Sequence, residues 1–288
     1  MTAIGFALAA MVMNGLTDFA FKKAAEGSMR GKFRMYHFIV AQACLFTLLI
    51  LVYGIVSNQL KAGPHLWLGA CAGVFMFIGF TSFAWSLQHG SISVNAPIFR
   101  LNFLVTAALA MMLLGEPPEV VKLAGLALAI AAIWLLIGSG GGGIAGLSAE
   151  ARRSLLLAIL ATLSLGAGNA VHKAGLSMGG TPATQLAAHS VTYLVLSLIV
   201  AMRADRGLKI PASVWPVAAS GATLGATAFV LMMTALTVGQ ASVIVPIAQM
   251  GLVVSATLGI VVLGERATGR KLAGLAAAVA ALTALAMS

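Results

Sequence analysis

Long apolar runs, separated by short polar segments, follow one another along the whole chain. Ten can be bounded: Thr2–Phe21, Phe33–Ser57, His65–Gln88, Ile92–Leu114, Val120–Ile137, Ser154–Val171, Pro182–Met202, Ala212–Val238, Ala241–Leu263 and Leu272–Met287. Most approach the roughly 20 residues that a helix needs to cross about 30 Å of hydrocarbon. The period-two alternation of a barrel strand is absent, so the pattern predicts an all-α integral membrane protein with ten transmembrane helices. The hairpins at His89–Gly90 and Gly239–Gln240 are so short that the helices they join must be antiparallel neighbours.

One stretch, "GSGGGGIAGLSAEARR" from Gly138 to Arg153, interrupts this pattern near mid-chain. A glycine run has no helix propensity and serves as a flexible joint. It divides the chain into a first unit over 1–137, a linker over 138–153 and a second unit over 154–288. The two units repeat one another. "LLGEPPEVVKLAGLALAIAA" (Leu113–Ala132) lies without a gap on "VLGERATGRKLAGLAAAVAA" (Val262–Ala281), an offset of 149. At that offset Pro97 meets Pro246, Arg100 meets Gln249, Phe80 meets Phe229 and Glu116 meets Glu265. "KKA" at Lys22–Ala24 matches "HKA" at His172–Ala174, and His37 matches His189 early in the second and seventh helices.

Five helices per unit is an odd number, so the second unit must enter the membrane inverted. Basic residues favour the cytoplasmic side, so matched loops should then carry opposite bias. Lys22, Lys23, Arg30, Lys32 and Arg34 follow helix 1, whereas only Lys173 stands near the end of helix 6. Lys61 follows helix 2, against Arg203, Arg206 and Lys209 after helix 7. Lys122 follows helix 4 beside Glu116 and Glu119, against Arg266, Arg270 and Lys271 with Glu265 after helix 9. Arg152 and Arg153 in the linker add to the odd-numbered loops. The odd loops are therefore expected in the cytoplasm and both termini in the periplasm, in a bacterial inner (plasma) membrane.

Composition agrees. The chain has 288 residues, 60% hydrophobic and 8% charged, where a soluble domain carries about 25% charged residues. The net charge of +10 fits basic loops at a bilayer rather than nucleic acid, since no basic groove motif accompanies it. Cys44 and Cys71 lie inside apolar runs without metal-ligand spacing, and no disulfide framework is implied. The N-terminal run lacks a preceding Lys or Arg, and so reads as a retained first span rather than a signal peptide. Walker-type, zinc-protease and serine-hydrolase motifs are missing, so an enzyme is not expected, nor are a cofactor or a metal.

Inverted repeats around a midplane site are a construction of secondary transporters. A proline early in helix 4, then "LLGE", then a glycine-containing helix 5, all doubled in helices 9 and 10, resembles the drug/metabolite transporter superfamily, and within it the EamA-type members. The resemblance implies ten helices in two inverted repeats, a central cavity lined mainly by helices 1, 3, 4, 6, 8 and 9, and helices 5 and 10 at the periphery. Such proteins move amino acids, sugars, nucleotide sugars, sugar phosphates and drugs. The subtype nearest in character is an exporter of aromatic amino acids. One departure is that His37 and His189 stand where these repeats often have an arginine.

Within this frame a few residues carry the chemistry. Arg100 is the basic residue deepest in a span, about 12 Å into helix 4 by helical rise, and is the candidate partner for a substrate carboxylate. Snorkelling or a structural pair is the competing reading. Asn14 and Asp18 share a face of helix 1 with Lys22 a turn further on. Asp18 is either a pair for Lys22 or a proton-titrating carboxylate. Ser164 and Asn169 are the polar residues in the matching part of helix 6. Phe77, Phe80, Trp85 and Phe99 form a candidate aromatic wall, with Gln249 as the partner of Arg100 in the repeat. Pro97 and Pro246 are candidate helix breaks. His37 and His189 are expected in packing hydrogen bonds, with a gate or proton role second. Glu116 and Glu265 read as markers of helix ends. Trp67, Trp134 and Trp215 fit an interfacial belt.

The expectation is a secondary transporter working by alternating access, exporting apolar or aromatic amino acids or similar small metabolites. Its partners would be a small-molecule substrate and the lipid bilayer, with no nucleic acid, as a monomer or weak homodimer. A lipophilic-cation exporter would want a deep carboxylate, for which Asp18 is the candidate. A membrane assembly protein or a channel would want clustered ligands or a polar pore, which these helices do not offer.

Overall fold

A computed structural model of the protein describes residues 2–29, 31, 33–89, 95, 98–137, 148–204, 209–251, 253–254 and 268–288. Among them are ten helices and no strand: α1 Ala3–Met29, α2 Met35–Val56, α3 His65–His89, α4 Asn102–Leu113, α5 Val120–Ile137, α6 Ala149–Ser177, α7 Pro182–Ala204, α8 Trp215–Val238, α9 Ala241–Gln249 and α10 Gly269–Ala286. A 3₁₀ turn over Ala212–Val214 leads into α8. Five of these helices are long and apolar enough to cross a membrane: Met35–Val56, His65–Ser86, Ala149–Ser177, Pro182–Ala204 and Ala212–Val238.

Two helices outrun the apolar runs that announced them. α1 continues to Met29 through "FKKAAEGSM", and α6 begins at Ala149 rather than Ser154. Hydropathy marks where a helix leaves lipid, not where it ends. Lys, Ala, Glu and Arg are good helix formers, and Ser148 supplies a cap, its hydroxyl accepting from the Ala151 N–H at 3.2 Å.

The packing is that of a protein whose solvent is hydrocarbon. α6 turns Leu156, Ile159, Leu160 and Leu163 outward and buries Ala158, Ala161, Ser164, Gly168 and Asn169. Large apolar side chains lose nothing by facing lipid. Small and polar ones gain by facing each other, because backbones then approach closely and polar groups find partners. Trp67 and Trp134 are among the most exposed side chains, consistent with a belt at the headgroups.

The two sequence units interdigitate. The principal helix pairs are α3 with α6, α1 with α8, α5 with α10, α3 with α7, α2 with α7, α2 with α8, α4 with α6, α1 with α9 and α4 with α9. Each joins one unit to the other. Shifting every helix by five positions turns this set of pairs into itself.

Candidate functional site

α4 and α9 are both interrupted, and at matched places. Helical turns at 98–100 and at Ala241–Gln249 end at Leu101 and Met250, residues 149 apart. The ladder there tightens to three-residue bonds: Leu101 N–H donates to Ile98 O at 3.1 Å and Leu104 N–H to Leu101 O at 3.0 Å. The second unit repeats this, with Met250 N–H on Ile247 O at 3.1 Å and Val253 N–H on Met250 O at 2.9 Å. Pro246, expected as the break, sits inside α9 instead, four residues before the bend. A proline deprives the turn before it of a donor, but here that turn stays helical. Pro97 lies outside the described residues.

A bend in lipid exposes carbonyls that must find donors. Asn14 Nδ2 of α1 donates to Ala248 O at 2.9 Å. The matching carbonyl, Phe99 O, takes the Asn102 Nδ2 at 2.8 Å. The Thr162 hydroxyl reaches Ile98 O at 2.7 Å. The crossing helices approach closely through glycines. A Cβ on Gly15 would stand 2.6 Å from Gly251 O, and one on Gly166 would stand 2.6 Å from Asn102 O. Asn102, Thr162 and the two glycines were not singled out in the sequence. The repeat alignment holds the signal for Asn102, since it falls on Gly251 beside the bend.

Beside the bends, Arg100 Nη1 donates to Gln249 Oε1 at 3.0 Å, and both residues are buried. These are the same position in the two repeats. The bond therefore joins the two halves of the sequence at positions 149 apart. Phe80 and Phe229, also repeat partners, are in edge contact at 6.4 Å between ring centroids. The sequence-predicted residues Arg100, Gln249, Phe80 and Asn14 are therefore brought to one central region.

Around Phe80 the aromatic wall is larger than the sequence suggested. Phe99 contacts Phe80 and stacks on Phe83, the latter at 3.9 Å and 15°. Phe77 and Phe80 meet Tyr193 edge-on, and Phe229 contacts Phe46 and His189. Phe46 and Tyr193 come from α2 and α7, helices not expected to line the centre. Phenylalanines spread over several helices look alike in sequence, whether they face lipid or one another.

One end of the molecule is closed. Glu116, which follows α4, is buried and accepts the Ala241 N–H at 2.6 Å, the Ser242 N–H at 2.9 Å and the Ser242 hydroxyl. It thus caps α9, whose own N-cap residue Gln240 makes no side-chain cap, and a carboxylate suits a helix N-terminus. Lys173 donates to Leu236 O at 2.8 Å and Gly239 O at 2.7 Å, and Lys122 binds the Gln240 side chain. Nearby, the Thr184 hydroxyl accepts the Lys61 N–H at 2.9 Å and donates to Gln59 O at 3.1 Å. These contacts join the even-numbered loops. Glu116 is more than an end-marker, because its carboxylate reaches across to the other unit. Glu265 lies outside the described residues.

At the opposite end a cavity of about 600 Å³ is lined by Arg34, Tyr36, His37, Trp85 and Pro211, with residues of the α1–α2 loop. Trp85 is 41% exposed there and stands apart from the central rings. His37 accepts the Arg34 N–H on Nδ1 at 3.3 Å. His189 is elsewhere: it is buried and its Nδ1 lies 3.2 Å from His172 Nε2. Ser164 and Asn169 are buried in α6, and Asn169 Nδ2 has no hydrogen-bond partner among the described residues. The Asp18 side chain lies outside the described residues. No cluster of three metal-ligating side chains occurs among the described residues.

Helices that bend in register at the centre of an apolar bundle, with their polar groups turned inward, define a polytopic membrane protein of the transporter type. The EamA-like transporter family matches residues 1–138 and 152–287, and the chain belongs to that family. Its members are membrane transporters of small substrates rather than enzymes. None of the curated proteins matches the chain. One solved crystal structure, 14% identical, superposes with a TM-score of 0.79 over 99% of this chain and 98% of its own, which shows the shared fold.

Proposed function

We propose that the protein is a secondary transporter working by alternating access, exporting small metabolites that combine a carboxylate with an apolar or aromatic body, above all amino acids. The two units are read as inverted-topology repeats that can exchange conformations, opening the centre to alternate sides. The observation that carries this reading is the contact between repeat partners, Arg100 with Gln249 and Phe80 with Phe229, beside matched bends in α4 and α9.

Arg100 gives a substrate carboxylate its anchor. Its guanidinium now meets a neutral amide oxygen. A carboxylate would offer the guanidinium two charged acceptors, and such bonds are roughly twice as strong as neutral ones. The rings of Phe80, Phe99, Tyr193 and Phe229 offer surface to an apolar body. A single deep cation suits one carboxylate better than a phosphate.

The charge pattern supports even loops in the periplasm and odd loops in the cytoplasm, with both termini periplasmic, in a bacterial inner membrane. The present state, tied at the even loops and with a cavity at the odd-loop end, is then read as inward-facing. Proteoliposome efflux of an amino-acid panel tests the proposal. Saturable flux is expected, reduced at least about tenfold in Arg100→Gln, as loss of one charged bond of about 1.5–3 kcal/mol implies. Full flux in a folded Arg100→Gln protein would refute the carboxylate role.

A further inference from the structure

Between the closed even-loop end and the central rings lies a group that the carboxylate site does not use. His172 of α6 and His189 of α7 face each other with Nε2 and Nδ1 3.2 Å apart, and both are buried. His172 stands five residues before the end of α6 and His189 seven after the start of α7. By helical rise that puts the pair about 10 Å inside the bundle. His189 also touches Phe229 and Tyr193, so it forms part of the central wall.

The proton arithmetic of the pair is informative. Two neutral imidazoles hold two protons on four nitrogens. One proton occupies the 3.2 Å gap. Of the two outer nitrogens, His172 Nδ1 and His189 Nε2, one is therefore bare. Among the described residues neither the buried His172 Nδ1 nor the buried Gln185 Oε1 has a hydrogen-bond partner. The Gln185 side chain packs against Gly175, three residues after His172 in α6. Its orientation is fixed, because Nε2 donates to His65 O at 2.7 Å, leaving Oε1 as the open end. Gly175 makes room for it: a Cβ there would stand 2.3 Å from Oε1. Either neutral tautomer leaves one outer nitrogen bare, and a third proton fills it. Both outer nitrogens of the cationic pair then carry hydrogen, which makes His172 Nδ1 a donor on the side of the open Gln185 Oε1.

The surroundings contain little that would hold a permanent charge. α2 presents the Phe46 ring, and the nearby Thr47 hydroxyl is committed to Ser190 O. α8 presents Phe229, and α7 its Tyr193 phenol. α3 contributes the His65 carbonyl, while the His65 ring bonds Lys61 O. Lys173, beside His172 in α6, is committed to carbonyls of α8 and its C-cap, and Glu116 to the N-terminus of α9. No described carboxylate bonds either imidazole. The charge on the pair can thus come and go with the conformation.

We propose that His172 and His189, with Gln185, form the coupling-proton site of the transporter. The inference rests on the transport reading above and adds its energy source. One proton taken from the even-loop side fills the bare nitrogen, the pair becomes a cation beside the Phe229 and Tyr193 wall, and the proton leaves toward the odd-loop side as substrate moves outward.

Two measurements test it. In nanodiscs, ¹⁵N-histidine NMR over a pH titration should show the pair taking up one proton as a unit. His172→Gln should abolish that transition, while Gln185→Leu, which keeps both imidazoles, should shift it to lower pH. A pair that stays neutral throughout overturns the proposal. In proteoliposomes carrying a pH dye, outward phenylalanine flux should drive inward proton movement. His172→Gln should keep phenylalanine flux and lose at least about tenfold in proton movement. Phenylalanine flux without protons in the parent also overturns it. A titrating pair in a protein that moves no amino acid leaves the proton site standing and refutes the substrate reading instead.

Discussion

Replacing Glu116 with alanine isolates the contact that closes one end of the bundle. The carboxylate accepts two N–H groups of α9, from Ala241 and Ser242, and the Ser242 hydroxyl, in a buried site. Its loss leaves at least two N–H donors at a helix N-terminus without acceptors, each costing about 1–3 kcal/mol. It also removes the negative charge that faces the positive helix end and Lys173. Water entering the gap recovers part of this, so the net loss is about 3 kcal/mol. At about 2 °C per kcal/mol for a chain of this length, the Tm of the purified protein falls by about 6 °C. Glu116→Gln keeps one acceptor and should fall by roughly half as much. Because the site is buried, added salt should change neither figure much, as screening acts on exposed charges. Thermal unfolding in detergent micelles checks all three statements. A Glu116→Ala protein that melts within a degree of the parent would show that α9 is not held this way.

Further outcomes are expected. Gly166→Ala puts a methyl 2.4 Å from Val105 Cβ and 2.6 Å from Asn102 O. It should destabilise by about 1–3 kcal/mol, read as a lowered Tm, and an unchanged Tm would mean that α4 and α6 do not cross there. Thr162→Val removes the hydroxyl from Ile98 O and should cost about 1 kcal/mol, checked by the same melt. In a background without Cys44 and Cys71, a cysteine at Met178 should react with an impermeant thiol reagent on intact cells, and one at Ala149 only after permeabilisation. The reverse result would invert the proposed orientation. Phe80→Ala should raise the KM for phenylalanine efflux more than it lowers kcat, since it removes ring contact rather than the carboxylate anchor.

Much of this molecule can be read from one dimension. Apolar runs of about 20 residues fix the kind of structure, because a backbone in hydrocarbon must satisfy its own hydrogen bonds. The doubled "LLGE" region and the matched Arg100 and Gln249 expose the repeat, because a gapless offset survives in plain sequence. Arg100 stands out because charge is rare in a span.

What tertiary structure alone decided is which of those residues meet, and where the helices give way. The prolines suggested breaks at positions 97 and 246, yet the second bend falls at Met250. A bend forms where crossing helices supply donors to its open carbonyls, here Asn14, Asn102 and Thr162, and no local pattern records that. Phe46, Tyr193 and Phe229 read like any lipid-facing aromatic until their helices pack. Glu116 looked like a helix-end marker because its partner, the start of α9, lies 125 residues away in sequence. His172 and Gln185 attract no notice singly, and only the meeting of α6 and α7 at this point sets one ring against another. Periodicity and charge report what each residue faces on average, lipid or water; pairing across the two units depends on which backbones come close, and that is settled by three-dimensional packing.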